Sequence, residues 1–387
     1  MKQLKIIDID VYELDLKLRK PYKISFKTVD YAENLLIAVK TDEGLIGYGE
    51  AAPIKKVTGD SKEEALEFLK KAIPFLKNKN PCDVSEIHNH LEMISSKMGL
   101  ISQTAKTAID YACYDIWGKS EKKPIYQILG SNRPRIVPTS IGFGIETPEE
   151  LVKSTEDWME KFKDNGPWLL KLKLEGNPEM DLKRVFAVAD VFPREIKLDP
   201  NQAYTDPKVA VKTFNELYAT LGSKIALIEE PCPKGDLQKI KYVTENTEIP
   251  ILADETGATL EDIKQIIKER AADGVNIKLP KIGGFYWAVQ AAKLLNAENM
   301  RIQVGSMVES RVGLAAAANF AAGTTGVSDT DLDGDLYYVT NVVTKESLPF
   351  IWGARVPSGG VGLGVNFKEE FNHILNGGVN IVKLAHN

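Results

Sequence analysis

The chain has 387 residues and is 43% hydrophobic, enough to bury a large core and to build one large domain with a smaller companion. Its net charge of −5, with both signs mixed along the chain, excludes the basic footprint of a nucleic-acid binder. No apolar run approaches the length of a membrane span, so no membrane partner is expected. Cys82, Cys113 and Cys232 lack metal-ligand spacing and fit a reduced compartment better than a disulfide framework. Residues 1–5 run into strand-like alternation without an apolar signal core, so a cytoplasmic protein is expected. The only histidines are His88, His90, His373 and His386, which leaves the long middle of the chain without one.

Residues 6–12 alternate as a strand does, and the apolar run 35–39 ends at the turn signal Asp42-Glu43-Gly44. Residues 23–28 lie between them, and a loop runs from Ala52 to Asp60. Ser61, with Glu64 three residues on, reads as the N-cap of a helix through Leu76. Two further helices follow, the second over 104–117, so the first 130 or so residues form an α+β unit.

From Arg135 a short apolar strand is followed by an amphipathic helix, repeatedly. The predicted strands are 136–142, 168–174, 195–199, 226–230, 251–254, 274–279, 301–305 and 328–331. A spacing of roughly 25–30 residues is the period of a βα unit, and eight strands close a barrel. A doubly wound open sheet is the alternative. It calls for a glycine-rich phosphate turn after its first strand, and Gly142-Phe143-Gly144 lacks the rest of that fingerprint. Beyond residue 340 strand and turn signals return, predicting a tail that packs back on the first unit. The expected division is 1–134, 135–340 and 341–387.

In a barrel, functional groups belong at the carboxyl ends of the strands. Leu169 to Leu174 alternates leucine with Lys171 and Lys173, and a period of two points both lysines the same way. On a solvent face they are ordinary surface residues; inside a barrel they need an anionic or water-filled site. Strand three ends in Asp199, strand four in Glu229-Glu230, strand five in Asp254-Glu255, strand six in Lys278 and strand eight in Asp331-Leu332-Asp333. Carboxylates on three successive strand ends repel unless a cation lies between them. An all-oxygen set without His or Cys suits Mg²⁺ or Mn²⁺. Spacing alone does not choose between the adjacent acids of strands four and five.

Lysines then flank the cation from strand two and strand six. A lysine beside a divalent ion is pressed toward its neutral, basic form. The cation and Lys171 hold a substrate carboxylate and stabilise the enediolate, while Lys173 and Lys278 exchange the α-proton on opposite faces. Bases on both faces imply racemisation or epimerisation; a lyase, which needs one base and a leaving group, stays open.

These features resemble the enolase superfamily, and within it the muconate-lactonising-enzyme-like subgroup with Lys-x-Lys on strand two and a lone Lys on strand six. Lysine bases working beside Mg²⁺ are an established pattern there. The resemblance covers nearly the whole chain and includes Ala108-Ile109-Asp110 to Asp115-Ile116-Trp117-Gly118, and Lys278 to Lys281-Ile282-Gly283-Gly284. It implies a (β/α)7β barrel, a modified TIM barrel, under an α+β capping domain built from both termini. It also implies Mg²⁺ held by Asp199, Glu229 and Asp254, with Glu230 and Glu255 spare, and a homo-oligomer. The missing mid-chain histidine argues against the mandelate-racemase-like branch, which uses a His–Asp dyad.

Asp331 and Asp333, two apart on a strand end, face one pocket and suit a substrate ammonium. An ammonium at one end and an α-carboxylate at the other describe a dipeptide. Asp-x-Asp at this strand resembles the dipeptide epimerases of the L-Ala-D/L-Glu type, as does Gly305-Ser306-Met307-Val308-Glu309-Ser310, which brings in Ser306. Where those enzymes carry an arginine toward the glutamate side chain, this chain has Lys27. With Lys55 or Lys56 it favours an acidic residue, although arginine makes the better carboxylate fork. Ser140, at the end of the first barrel strand, is a further substrate-binding candidate. Asp329 to Gly334 imitates the start of a calcium loop, but Thr340 stands where that loop needs a glutamate. An o-succinylbenzoate-synthase-like dehydration or a muconate-type cycloisomerisation would leave Asp331 and Asp333 without work. A binding protein that lost activity has no reason to keep all three carboxylates and three lysines.

Overall fold

The structure is a computed structural model that describes residues 3–25, 27–164, 169–371 and 383–384, the side chains of Lys27, Lys383 and Leu384 excepted. The chain opens with a long hairpin, β1 (Ile6–Ile24) and β2 (Lys27–Thr41), continued by β3 (Ile46–Ala51). These pair antiparallel in the order β1-β2-β3, and a two-residue strand, Lys383–Leu384, adds to the other edge of β1 in parallel. The helices α1 (Lys55–Thr58), α2 (Lys62–Leu76), α3 (Val84–Met98), α4 (Gln103–Glu121) and α5 (Ile125–Ile128) follow. Ser61 caps α2 in a capping box with Glu64, as its spacing predicts.

The apolar run in β2 serves two cores. Leu35, Ile37 and Val39 pack with Phe68, Leu91 and Ile109 of α2, α3 and α4, whereas Leu36 and Ala38 join the core continuous with the barrel. A sheet buried on both faces is apolar without alternation. Lys23 and Ile24 end β1 and pair with Thr28 and Lys27 at the start of β2, so these residues belong to the hairpin strands.

Eight parallel strands follow: β4 (Ser140–Phe143), β5 (Leu169–Lys173), β6 (Ile196–Asp199), β7 (Ile225–Glu229), β8 (Ile251–Ala253), β9 (Gly274–Lys278), β10 (Arg301–Gly305) and β11 (Val327–Asp331). They pair in sequence order, and a bridge between Thr139 and Thr330 joins β4 to β11 to close the ring. Between them run α6 (Pro148–Lys161), α7 (Pro178–Val191), α8 (Pro207–Leu221), α9 (Leu237–Glu245), α10 (Leu260–Glu269), the short α11 (Leu279–Ile282), α12 (Phe285–Ala297) and α13 (Arg311–Gly323). This is the (β/α)7β barrel expected. Most of these helices start on their own caps, Thr147 and Thr259 among them. Helix α12 borrows one: Gly284 precedes it, and Asp110 of α4 accepts from Phe285 N at 2.6 Å and Tyr286 N at 3.2 Å. The first unit is thereby tied to the barrel by a helix terminus.

Candidate active site

Inward side chains at the barrel's carboxyl ends converge. Lys171 Nζ lies 3.1 Å from Asp199 Oδ2, 3.0 Å from Glu229 Oε2 and 2.7 Å from Asp331 Oδ2. Lys173 Nζ donates to Asp199 Oδ2 at 2.5 Å. Lys278 Nζ donates to Asp254 Oδ2 at 2.7 Å, and Lys281 of α11 grips the other oxygen of Asp254 and its carbonyl. Glu229 also accepts from Asn276 Nδ2 at 3.0 Å and Gln303 Nε2 at 2.8 Å. In a closed ring of eight, β5 and β9 are four strands apart either way round, so Lys173 and Lys278 come from opposite walls. Both line one cavity with Lys171, Asp331, Asp333 and Ser306.

Charge decides protonation here. Burial pulls Lys171 and Lys278 toward the neutral amine, but Asp331, Glu229 and Asp199 beside the first, and Asp254 and Glu229 beside the second, outweigh it and hold both well above the usual lysine range. Burial raises Asp254, yet Lys278 and Lys281 bring it well below the ordinary carboxylate value. Burial likewise raises Asp199, and Lys173 and Lys171 bring it down. For Glu229 burial wins over Lys171, and its carboxyl is raised.

Buried carboxylate oxygens from three strand ends, with no sulfur or imidazole, are the donor set of a hard cation. Among the described residues no three acidic, His or Cys side chains lie close enough to hold an ion as they stand, because lysine amines take up the oxygens. Nearby, Asn201 Oδ1, Glu255 Oε2 and Asn276 Oδ1 are buried acceptors without a partner. Orphaned acceptors beside a carboxylate cluster are what a cation satisfies, so the residues fit one. The adjacent acids now separate. Glu229 points to Lys171, whereas Glu230 turns back to accept from Asp254 N at 2.7 Å and Thr256 N at 3.1 Å, its carboxyl pushed up to about 8 by burial and Glu255. Glu255 lines the cavity and is pushed up to about 7 by burial and then Asp254.

Asp331 and Asp333 reach the same cavity with different partners. Asp331, raised by burial, is lowered further by Lys171 and Lys197 and ends below the usual range. Asp333 accepts from Gly142 N at 2.6 Å, with Tyr337 Oη 2.7 Å away, and is pushed up to about 6 by burial and then Asp331. Asp329 points to the barrel floor and pairs with Lys197. Three acids with three separate partners do not form a calcium loop. Ser306 lines the cavity, its hydroxyl donating to the Asp331 carbonyl at 2.9 Å. Ser140 does not reach the cavity wall: it is buried and donates to Asp331 Oδ1 at 3.1 Å, which makes it a support for that acid.

The side chain of Lys27 lies outside the described residues. Lys55 is committed elsewhere, 2.6 Å from Glu64 on α2, and Lys56 lines a neighbouring cavity with Ser25, Glu175 and Asn201. The wall facing the main cavity from the first unit is apolar, made of Leu18, Ile24, Val29, Ile54 and Val57, with Met307 and Val308 from the barrel. Sequence reasoning missed Lys197, Lys281 and Tyr337. Lys197 stands two residues before Asp199, so strand alternation already placed it inward. Lys281 lies in the single-turn α11 directly after β9, and Tyr337 follows the short 3-10 helix Gly334–Leu336; neither segment is long enough for a period to report direction.

Residues 6–130 match the family model described as "Mandelate racemase / muconate lactonizing enzyme, N-terminal domain", and residues 154–371 match "Enolase C-terminal domain-like". The chain is 32% identical to an N-succinyl-L-Arg/Lys racemase of Bacillus cereus, over 95% of this chain and 96% of that one. It is 33% identical to a hydrophobic dipeptide epimerase of Enterococcus faecalis, over 90% and 97%. The crystal structure of the dipeptide epimerase from Enterococcus faecalis V583, complexed with Mg and L-Leu-L-Tyr, superposes with a TM-score of 0.86 at 30% identity, covering 94% of this chain and 99% of that one. The chain belongs to the enolase superfamily, in the muconate-lactonising-enzyme-like subgroup that includes the dipeptide epimerases, and is an isomerase of the racemase and epimerase class.

Proposed function

We propose that the protein is a Mg²⁺-dependent dipeptide epimerase that inverts the α-carbon of the C-terminal residue by two-base proton transfer through an enediolate. The observation that carries this reading is a pair of amines, Lys173 and Lys278, on opposite walls of one cavity that ends in Asp331 and Asp333. Asp199, Glu229 and Asp254 are the residues to hold the cation, Mn²⁺ being a chemical substitute for Mg²⁺. Held there, a divalent cation would stabilise negative charge on the substrate carboxylate.

Lys171 adds a second positive charge at that carboxylate. Lys173 takes or returns the α-proton from one wall, and Lys278 does so from the other. Asp331 and Asp333 receive the substrate ammonium, Asp333 held in place by Gly142 N–H and Tyr337. Ile24, Val29, Ile54 and Val57 exclude water from above and suit an uncharged C-terminal side chain, in place of the acidic one that Lys27 suggests. On this reading residues 135–340 are the catalytic barrel, 1–134 and 341–387 form the cap, and the protein acts in the cytoplasm as a homo-oligomer. Its three cysteines, all buried and unpaired, agree with a reducing compartment.

A second reading, racemisation of N-acylated amino acids, draws support from the Lys171–Asp331 ion pair, which leaves one acid instead of two for an ammonium. Incubation of pooled L,L-dipeptides and of N-succinyl amino acids with Mg²⁺ in D₂O, read by mass spectrometry, separates the two. Deuterium at the C-terminal α-carbon of dipeptides supports the first, and exchange confined to the N-acyl set moves the reaction to the second. No exchange in either set contradicts both.

A further inference from the structure

Behind Asp333 the site does not end. A second cavity shares Tyr22, Gly142 and Tyr337 with the first and runs outward between β4, α6 and the first hairpin. Gly142 keeps the shared wall thin: a Cβ there would lie 2.9 Å from Tyr22 Oη and 3.5 Å from Asp333 Oδ2. The aromatic lining continues from Tyr337 to Trp158, with ring centroids 5.9 Å apart, and Lys161 Nζ sits 4.0 Å from the Trp158 centroid.

This outer cavity is cationic. Its charged lining is Arg19, Lys20, Lys161 and Glu146. Glu146 is used by Lys20, at 2.6 Å. Among the described residues no acidic side chain pairs with Arg19 or Lys161, and the two cations are near enough to repel: burial first, and then Arg19, lowers Lys161. Two like charges on an aromatic-lined wall, directly beyond the acids that meet a substrate's amino end, call for an anion supplied by the substrate.

We propose that this outer cavity is a subsite for a carboxylate carried by the group attached to the reacting residue's nitrogen, bound by Arg19 and Lys161. The substrate class is then a dipeptide with an acidic first residue, its ammonium at Asp333 and its side-chain carboxylate beyond Tyr337. A dicarboxylic acyl group on the same nitrogen presents the same chemistry. The inference rests on the epimerase reading and narrows it.

The test compares L-Glu-, L-Gln- and L-Ala-dipeptides, each with the same set of C-terminal residues, and the matching N-succinyl amino acids, by α-deuterium incorporation in D₂O with Mg²⁺. L-Glu-dipeptides are expected to exceed their L-Gln counterparts in kcat/KM by about five- to tenfold, the scale of two solvent-reached ion pairs. In the Arg19→Ala/Lys161→Met double variant, whose methionine keeps the packing on Trp158, that ratio falls to about one while L-Ala-dipeptides keep their rate. N-succinyl substrates that outpace L-Glu-dipeptides and lose the advantage in the variant support the subsite and assign it to an acyl group. Exchange across all dipeptides with no preference for Glu over Gln, or a variant that slows every substrate equally, overturns the inference and leaves the epimerase reading intact. Exchange in no series at all removes that reading and the inference with it.

Discussion

Asp333 is the acid whose surroundings make it most informative. It is buried, receives Gly142 N–H and Tyr337, and titrates near 6 because burial and Asp331 oppose its charge. A cationic substrate group beside it would favour the ionised form. Asp333→Asn is therefore expected to lower kcat/KM for dipeptides about ten- to a hundredfold, chiefly through KM, since a hydrogen bond to a charged group is lost. Steady-state kinetics on a dipeptide and its N-acetyl derivative check this, with the derivative little affected; equal losses on both would contradict it. At this scale strand alternation was enough to place Lys171, Lys173, Asp199, Lys278 and the Asp331–Asp333 pair inside the barrel. It was not enough to choose Glu229 over Glu230, because the strand ends there and Glu230 adopts a φ of 40° that no period foretells.

The first unit depends on close approach of sheet and helix, and its junction with the barrel on a buried pair of acids. Gly49 of β3 lies against α4, where a Cβ would fall 1.9 Å from the Ala108 carbonyl oxygen. Gly49→Ala is expected to cost at least about 2 kcal/mol, read as a lower urea midpoint, because backbone and not a flexible side chain must move. A midpoint equal to wild type would contradict that contact. Glu50 on β3 caps α13 through Ser310 N at 2.8 Å and Gly313 N at 2.9 Å. Its neighbour Glu309 is pushed up to about 8 by burial and then by Glu50. An unfolded glutamate titrates near ~4.3, so the fold favours the protonated form of Glu309. The stability it contributes is full below that value and is lost as pH rises through about 8. Glu309→Gln should remove a pH-dependent loss on the order of a few kcal/mol between about pH 5 and about pH 9, measured by urea titrations across that range. An unchanged slope would refute the assignment. Among the elements, the helices with their own caps and the eight strands were legible from period and spacing. The α12 start was not, since Asp110, which caps it, sits about 175 residues away in sequence.

For the whole molecule, the lysine amines that occupy the carboxylate cluster mean that the barrel satisfies its own buried charges. Removal of divalent ions with a chelator is expected to abolish exchange and leave the melting temperature within a few degrees of the starting value; cooperative unfolding on chelation would contradict this. The sequence also made the barrel and its companion unit readable, because each βα repeat announces itself locally. The depth of the cap over the site was not readable, since Ile24, Val29, Ile54 and Val57 come to line one cavity with Met307 only through the long-range fold.

The account depends above all on proton transfer from two opposed walls, and single-enantiomer exchange tests it most directly. With each pure epimer of an accepted dipeptide in D₂O, Lys173→Ala and Lys278→Ala should each lose net inversion, and each should retain α-proton exchange from one epimer only, the opposite one in the two variants. If either variant still interconverts the epimers at the wild-type rate, or both lose exchange from the same epimer, the opposed-base arrangement is not how this enzyme works.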